Sequence, residues 1–132
     1  MAVIPLLVEQ MRAALEAHDI DGFVDFFHAD YLGERPRHPD APPSTREDVR
    51  GNWSEVLRDV PDLKVEIPAA IQDGDTIWSE WRAYGTSRSG AGLELRGIFI
   101  FGVREGRVAW SRMYFEPVEQ EGSPLPGFLG ME

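Results

Sequence analysis

Residues 61–116 read PDLKVEIPAAIQDGDTIWSEWRAYGTSRSGAGLELRGIFIFGVREGRVAWSRMYFE. Val65, Ile67, Ala69 and Ile71 alternate as a half-buried strand, and Pro68 inside the run marks an edge or a bulge. QDGD at 72–75 is hairpin punctuation, after which Thr76–Tyr84 alternates again. The TSRSGAG loop leads into a strand over Leu93–Val103, and Arg104-Glu105-Gly106-Arg107 turns it back into Val108–Glu116. The pattern is a four-stranded antiparallel meander. Because side chains alternate along a strand, Ser79, Trp81, Phe99, Ser111 and Met113 share one face, which reads as a pocket wall. The opposite face mixes charge pairs with tryptophan and tyrosine and reads as an interface.

Upstream the period changes to that of helices. Ile4, Leu7, Val8, Met11, Ala14, Leu15 and His18 form the stripe of a first amphipathic helix. Asp19 can cap a second, with Ile20, Phe23, Val24 and Phe27 as its apolar positions. Asp30–Arg35 is a brief extended segment, and RPRHPDAPPS, with prolines at 36, 39, 42 and 43, is loop. Ser44-Thr45-Arg46-Glu47 reads as a capping box opening a third helix, whose stripe is Val49, Trp53, Val56, Leu57 and Val60 and which Pro61 ends. Helices first and strands after imply an α+β domain with the helices packed on one face of a curved sheet.

Bulk properties bound the function. The chain of 132 residues is 42% hydrophobic and 27% charged, a normal globular balance. It has no cysteine, which removes disulfides, thiolate catalysis and Cys-ligated metals. A net charge of -10 opposes binding to nucleic acid or an anionic membrane. Lys64 is the only lysine and alternates with apolar neighbours toward water, so Schiff-base chemistry loses its usual residue. MAVIPLLVEQMRAALEAHD has no basic stretch ahead of its apolar start, and no run is long enough to cross a bilayer, so a cytoplasmic location is expected.

The segments PDLKVEI, GDTIWSEW, AYGTSRSG and GIFIFGVREGRV resemble, in order and spacing, the SnoaL-like polyketide cyclase branch of the nuclear transport factor two-like superfamily. The resemblance runs from about Ala14 to Glu116 and rests on hydrophobic and turn positions. It implies a cone in which a bent sheet wraps the helices around a deep pocket, with residues 1–118 as the domain and 119–132 as a Gly/Pro-rich tail. Family activities include aldol-type cyclisation, isomerisation, dehydration and epoxide hydrolysis, mostly without cofactors, so neither cofactor nor metal is expected. Fold alone does not choose among these reactions.

By the same resemblance, Ile77, Ser79, Trp81 and Ala83 point inward, as do Leu93, Leu95, Gly97, Phe99 and Phe101, and Ser111, Met113 and Phe115. Met113, Ile77 and Ser79 stand where limonene-epoxide-hydrolase-like members carry Asp, Arg and Asp, and Phe99 where many relatives carry Asp. The hydrolase mechanism is therefore not expected. Gly33-Glu34-Arg35-Pro36 matches the family's D-H-N-P. An inward Glu34 would act as a base whose pKa is raised by desolvation, whereas an inward Arg35 would bind an enolate or carboxylate. Adjacent strand residues face opposite ways, so only one of the two points in. With His38 reaching over the mouth, the candidate catalytic residues are Glu34, Arg35 and His38. The candidate substrate contacts are Tyr31, Trp53, Ser79, Trp81, Leu95, Phe99, Ser111, Met113 and Phe115. His18 and His28 read as residues of helix C-terminal turns, and the histidine spacing fits no metal motif.

The outer parity gathers Trp78, Glu80, Arg82, Tyr84, Glu94, Arg96, Ile98, Ile100, Trp110, Arg112 and Tyr114. Such an apolar patch predicts a homodimer through the sheet, with Glu/Arg pairs fixing its register. Two functions follow from the sequence. One is a cofactor-independent cyclase, isomerase or dehydratase acting on an apolar polyketide-type molecule; the other is a non-catalytic binder that has lost the family's carboxylates.

Overall fold

Helix α1 (Leu6–Glu16) buries the stripe Val8, Met11 and Leu15, while Arg12 on its flank bridges Glu9 and Glu16. Helix α2 (Ile20–Asp25) is capped by Asp19, whose carboxylate accepts from the Gly22 N–H at 3.0 Å. The helix ends before Phe27, which the periodicity assigned to it. Phe27 instead opens strand β1 (Phe27–Glu34) by pairing with Val108, whose N–H donates to the Phe26 carbonyl at 2.8 Å. His28 is consequently a strand residue and not a helix terminus. Its ring lies 2.6 Å from Asp30 Oδ1 and 2.9 Å from Glu105 Oε1, tying β1 to a distant turn.

Strand β2 (Ser44–Thr45) pairs with β1, and helix α3 (Arg46–Asp59) follows at once. The capping box sits one residue later than Ser44/Glu47. Thr45 Oγ1 accepts from the Asp48 N–H at 3.3 Å, and the Asp48 carboxylate accepts from the Thr45 N–H at 2.8 Å. Ser44 and Thr45 both pair with β1, opposite Gly33 and Leu32. Arg50 reaches Asp21 at 2.7 Å and locks α3 to α2.

The structure, a computed structural model, describes residues 3–118; the Gly/Pro-rich segment assigned to the tail lies outside them. Strands β3 (Lys64–Asp73), β4 (Thr76–Thr86), β5 (Gly92–Arg104) and β6 (Arg107–Pro117) form the meander read from the sequence. The sheet has six strands in the order β2-β1-β6-β5-β4-β3, with β1 parallel to β6. Pro68, which has no N–H to donate, falls in the register shift of edge strand β3 between Glu66 and Ala69. The shift breaks the expected alternation: Val65 is buried and Ile67 half-buried, but Ala69 and Ile71 are exposed beside Glu80 and Trp78. Glu105 and Gly106 both take left-handed φ, 56° and 75°, in the two-residue turn between β5 and β6.

Curvature lets the sheet wrap the helices. At Gly97 a Cβ would strike the Tyr114 carbonyl and Phe115 backbone, and at Gly102 it would strike the Trp110 indole. β6 therefore crosses β5 closer than side chains allow. The concave face packs Ile77, Phe101 and Val108 against Val8 and Leu15 as a dry floor. The Glu16 carboxylate accepts from the Val65 N–H at 2.8 Å and fastens α1 to the far edge strand. The result is an α+β cone, with three helices inside a curved, unclosed sheet.

The outer face is only partly as parity suggests. Trp78 and Tyr114 are exposed, but Ile100, flanked by Trp78 and Arg112, is buried within the chain. The charges expected to set register between protomers pair inside one chain: Arg82 bonds Glu94 at 2.8 Å and Glu66 at 2.9 Å, and Arg96 bonds Glu94 at 2.5 Å. Hydrogen bonds from Arg82 and then Arg96 hold the Glu94 carboxyl down to about 2.

One substitution made at two glycines separates these effects. Gly97→Ala has no room against fixed backbone and is expected to destabilise by about 1–3 kcal/mol in urea denaturation. Gly51→Ala, in α3 with open space around it, is expected to stabilise by up to about 1 kcal/mol.

Candidate functional site

Between the helices and the concave sheet lies a cavity of about 270 Å³. Its floor and walls are Met11 and Leu15 from α1, Phe23 from α2, Phe27 and Tyr31 from β1, and Val49, Asn52, Trp53 and Val56 from α3. The sheet adds Trp81, Leu95, Phe99, Met113 and Phe115, and Arg35 and Ser44 complete the lining. Two aromatic series build most of this wall. On the helix and β1 side, Trp53, Phe23, Phe27 and Tyr31 make successive edge contacts, with centroids 5.7, 5.3 and 4.9 Å apart. On the sheet, Trp81, Phe99 and Phe101 follow at 6.3 and 4.9 Å.

The polar groups inside the cone are hydroxyls and amides. Tyr31 Oη and Ser111 Oγ share a buried hydrogen bond of 2.6 Å. Burial raises the Tyr31 pKa, and the bond to Ser111 only partly opposes this, so the phenol stays protonated and able to donate. Gly33 makes the bond possible: a Cβ there would occupy the place of the Tyr31 hydroxyl and crowd Ser111. Ser79 does different work. Its Oγ donates to the Phe99 carbonyl at 2.7 Å and accepts from Trp81 Nε1 at 2.8 Å, which fixes the indole as a wall.

These bonds place the residues singled out in the sequence. Tyr31, Trp53, Trp81, Leu95, Phe99, Met113 and Phe115 line the cavity. Ser79 and Ser111 stand behind it and orient Trp81 and Tyr31. On β1, Tyr31 and Gly33 are buried while Leu32 and Glu34 are exposed; Arg35, the residue after the strand, is itself exposed and contributes to the lining from the solvent side. Glu34 is on the opposite face, and His38 is exposed in the loop, so neither joins Arg35 at the pocket.

Sequence reading took Met11, Leu15, Phe23, Phe27, Val49 and Val56 as helix core positions and not as pocket lining, and missed Asn52 and Ser44 altogether. Asn52 was within reach of it, since positions 49, 52, 53 and 56 follow one helical stripe. Ser44 was not, because its place depends on the pairing with Gly33 across a loop. The lining contains no Asp, Glu, His or Lys among the described residues. Among the described residues no cluster of three or more metal-binding side chains forms anywhere, and no helix is long and apolar enough to cross a membrane.

Ser79→Ala tests the wall. It leaves the buried Trp81 N–H without its acceptor and is expected to cost about 1–3 kcal/mol, read from the urea midpoint. An unchanged midpoint would show that the indole finds another partner.

Comparison with known proteins agrees with this geometry. No curated protein sequence matches the chain. Among solved structures, wild-type IdmH of Streptomyces antibioticus, a candidate polyketide cyclase, superposes with a TM-score of 0.70 at 19% identity, covering 83% of this chain and 89% of that one. A protein of Catenulispora acidiphila with a ketosteroid isomerase-like fold, in complex with trimethylamine, gives 0.70 at 18% identity, covering 85% and 86%. RV0760c of Mycobacterium tuberculosis, in complex with estradiol-17beta-hemisuccinate, gives 0.67 at 18% identity, covering 83% and 90%. At these identities the likeness shows the fold alone. The SnoaL-like domain matches residues 8–111, most of the cone described above, and the chain belongs to the SnoaL-like family.

Proposed function

We propose that this protein binds an apolar, polyketide-type aromatic molecule in the cone. The observation that carries the proposal is the lining itself. A cavity of about 270 Å³ with two aromatic walls and a few hydroxyl and amide groups has the composition of a small-molecule site, near the low end of the usual range of roughly 300–1,000 Å³. Relatives of the same fold are described as a candidate polyketide cyclase and as holding a steroid ester, both flat, ring-built chemistries.

The same lining limits the chemistry. Cyclisation or isomerisation through an enol needs a proton acceptor, and among the described residues no carboxylate, imidazole or amine lines the pocket. Two groups support a chemical role of another kind. Tyr31 can donate to a carbonyl, and Arg35 can stabilise developing negative charge. A cyclase built this way would work by folding its substrate and polarising one oxygen. The non-catalytic reading requires only the walls and is the one the geometry favours.

The two readings separate in one experiment with an uncharged ligand, 2-acetonaphthone. Calorimetry is expected to show one site per chain, and Trp53→Ala to weaken it at least about tenfold, ~1.4 kcal/mol. In D2O, a binder leaves the ketone's α-proton exchange rate unchanged. Acceleration lost in Tyr31→Phe would instead establish enolising chemistry.

We propose also that two copies associate through the outer sheet face. Trp78, Ile71, Tyr114 and Trp110 are 50%, 67%, 37% and 36% exposed on it. Arg112 lies over the Trp110 ring at 4.9 Å, and Arg82 over Tyr84 at 4.2 Å, which keeps the aromatic surface flat. With Glu80, Arg96 and Ile98 these residues form one continuous patch. Light scattering is expected to give a dimer mass, and Trp78→Glu combined with Trp110→Glu a monomer; a monomeric parent protein at micromolar concentration would refute the association.

A further inference from the structure

We propose that Arg35 is the anion-recognising residue of the pocket, so that the ligand is an apolar ring system carrying a carboxylate at its outer end. The inference rests on the pocket reading above and specifies its substrate class. Among the described residues Arg35 is the one charged side chain in the lining. Everything deeper is apolar or hydroxylic, so a charge on the ligand has a favourable place only where Arg35 stands.

The guanidinium also has no acidic partner among the described residues. The chain carries a net charge of -10 and most of its arginines are paired. Arg58, Arg88 and Arg112 also lack an acidic partner among the described residues, but of these four only Arg35 lines the cavity. Arg12, Arg37, Arg46, Arg50, Arg82, Arg96, Arg104 and Arg107 all hold carboxylates. Glu34, the nearest acid in sequence, projects from the opposite face of the strand. A cation left unpaired beside an apolar cavity is one whose counter-charge can come from a ligand.

The backbone fixes where that exposed side chain starts. Arg35 ends the inward row Tyr31, Gly33, Arg35, and its carbonyl accepts from the His38 N–H at 2.8 Å, closing a turn with Pro36 at its second position. Arg37, inside the same turn, is ion-paired to Glu116 of β6. Ser44 and Asn52 add neutral donors to the lining, so the other lone pairs of a bound carboxylate have partners available. Orientation follows: the acid sits outward on Arg35 while the rings pass between the aromatic walls, one edge toward the Tyr31 hydroxyl.

The test compares a matched pair, 2-naphthoate and neutral 2-acetonaphthone, by calorimetry at pH 7. The parent protein is expected to prefer the carboxylate by about tenfold or more, as a charge-assisted hydrogen bond would give. Arg35→Gln should abolish that preference while leaving the ketone within about twofold of its original affinity, and Arg35→Lys should retain part of it. Arg58→Gln makes the same change in net charge on an exposed part of α3 and should leave the preference intact. Equal affinity for the two ligands in the parent, or a preference that survives Arg35→Gln, overturns the assignment. If the ketone binds without any preference for the carboxylate, only this inference falls; if neither ligand binds, the pocket reading falls with it.

Discussion

The structure depends on the parallel pairing of β1 with β6. The meander alone would be a four-stranded sheet with an uncovered concave face, and the three helices alone could not bury their stripes. Leu32↔Trp110, Gly33↔Ser111 and Glu34↔Arg112 join the two halves. Because hydrogen bonding is cooperative along a ladder, this register also decides which side chains meet. It sets Tyr31 beside Ser111, it turns Gly33 from a weak strand former into the only residue that fits, and it aligns Arg35 with the cavity. The His28–Glu105 contact holds the other end of the same seam.

From that pairing the cone acquires a graded interior. Its narrow end is closed by Phe101, Ile77, Val8 and Val108, all essentially dry. The middle is aromatic, and each buried polar group there is spent on a neighbour: Ser79 on Trp81, Ser111 on Tyr31. Such internal pairing rigidifies a pocket without giving it chemistry of its own. Among the described lining residues, Arg35, Ser44 and Asn52 are not engaged by these bonds, and Tyr31 keeps a proton for a ligand when Ser111 donates to it. This gradient is the support for the proposed binding role. The outer face follows a different rule, since its charges neutralise one another within the chain and leave flat aromatic surface between them.

Much of the fold was legible because strands and amphipathic helices announce themselves by period. The meander, its hairpins, the bulge at Pro68 and the inward set Ile77, Ser79, Trp81 and Ala83 all follow from alternation and turn chemistry. The errors lie where a long-range bond overrules a local signal. Phe27 and His28 belong to a strand because Val108 was available to pair. The third helix is capped by Thr45/Asp48, one residue later than the local pattern gives, after the two-residue pairing of Ser44 and Thr45 with β1. Ile100 is buried on the face that parity leaves in water.

For the site, the sequence by itself determined the chemistry that can be present: aromatic walls, hydroxyls, and apolar residues at Met113 and Phe99 where family members carry acids. It could not choose between Glu34 and Arg35, because adjacent residues on a strand are equivalent until the strand's partners and buried face are known. Tertiary structure made that choice. With Tyr31 buried against Ser111, the alternation of β1 turns Glu34 to solvent and Arg35 to the cavity. Side-chain identity is a local property, whereas which side of a strand faces the pocket is settled by contacts about eighty residues away in the chain.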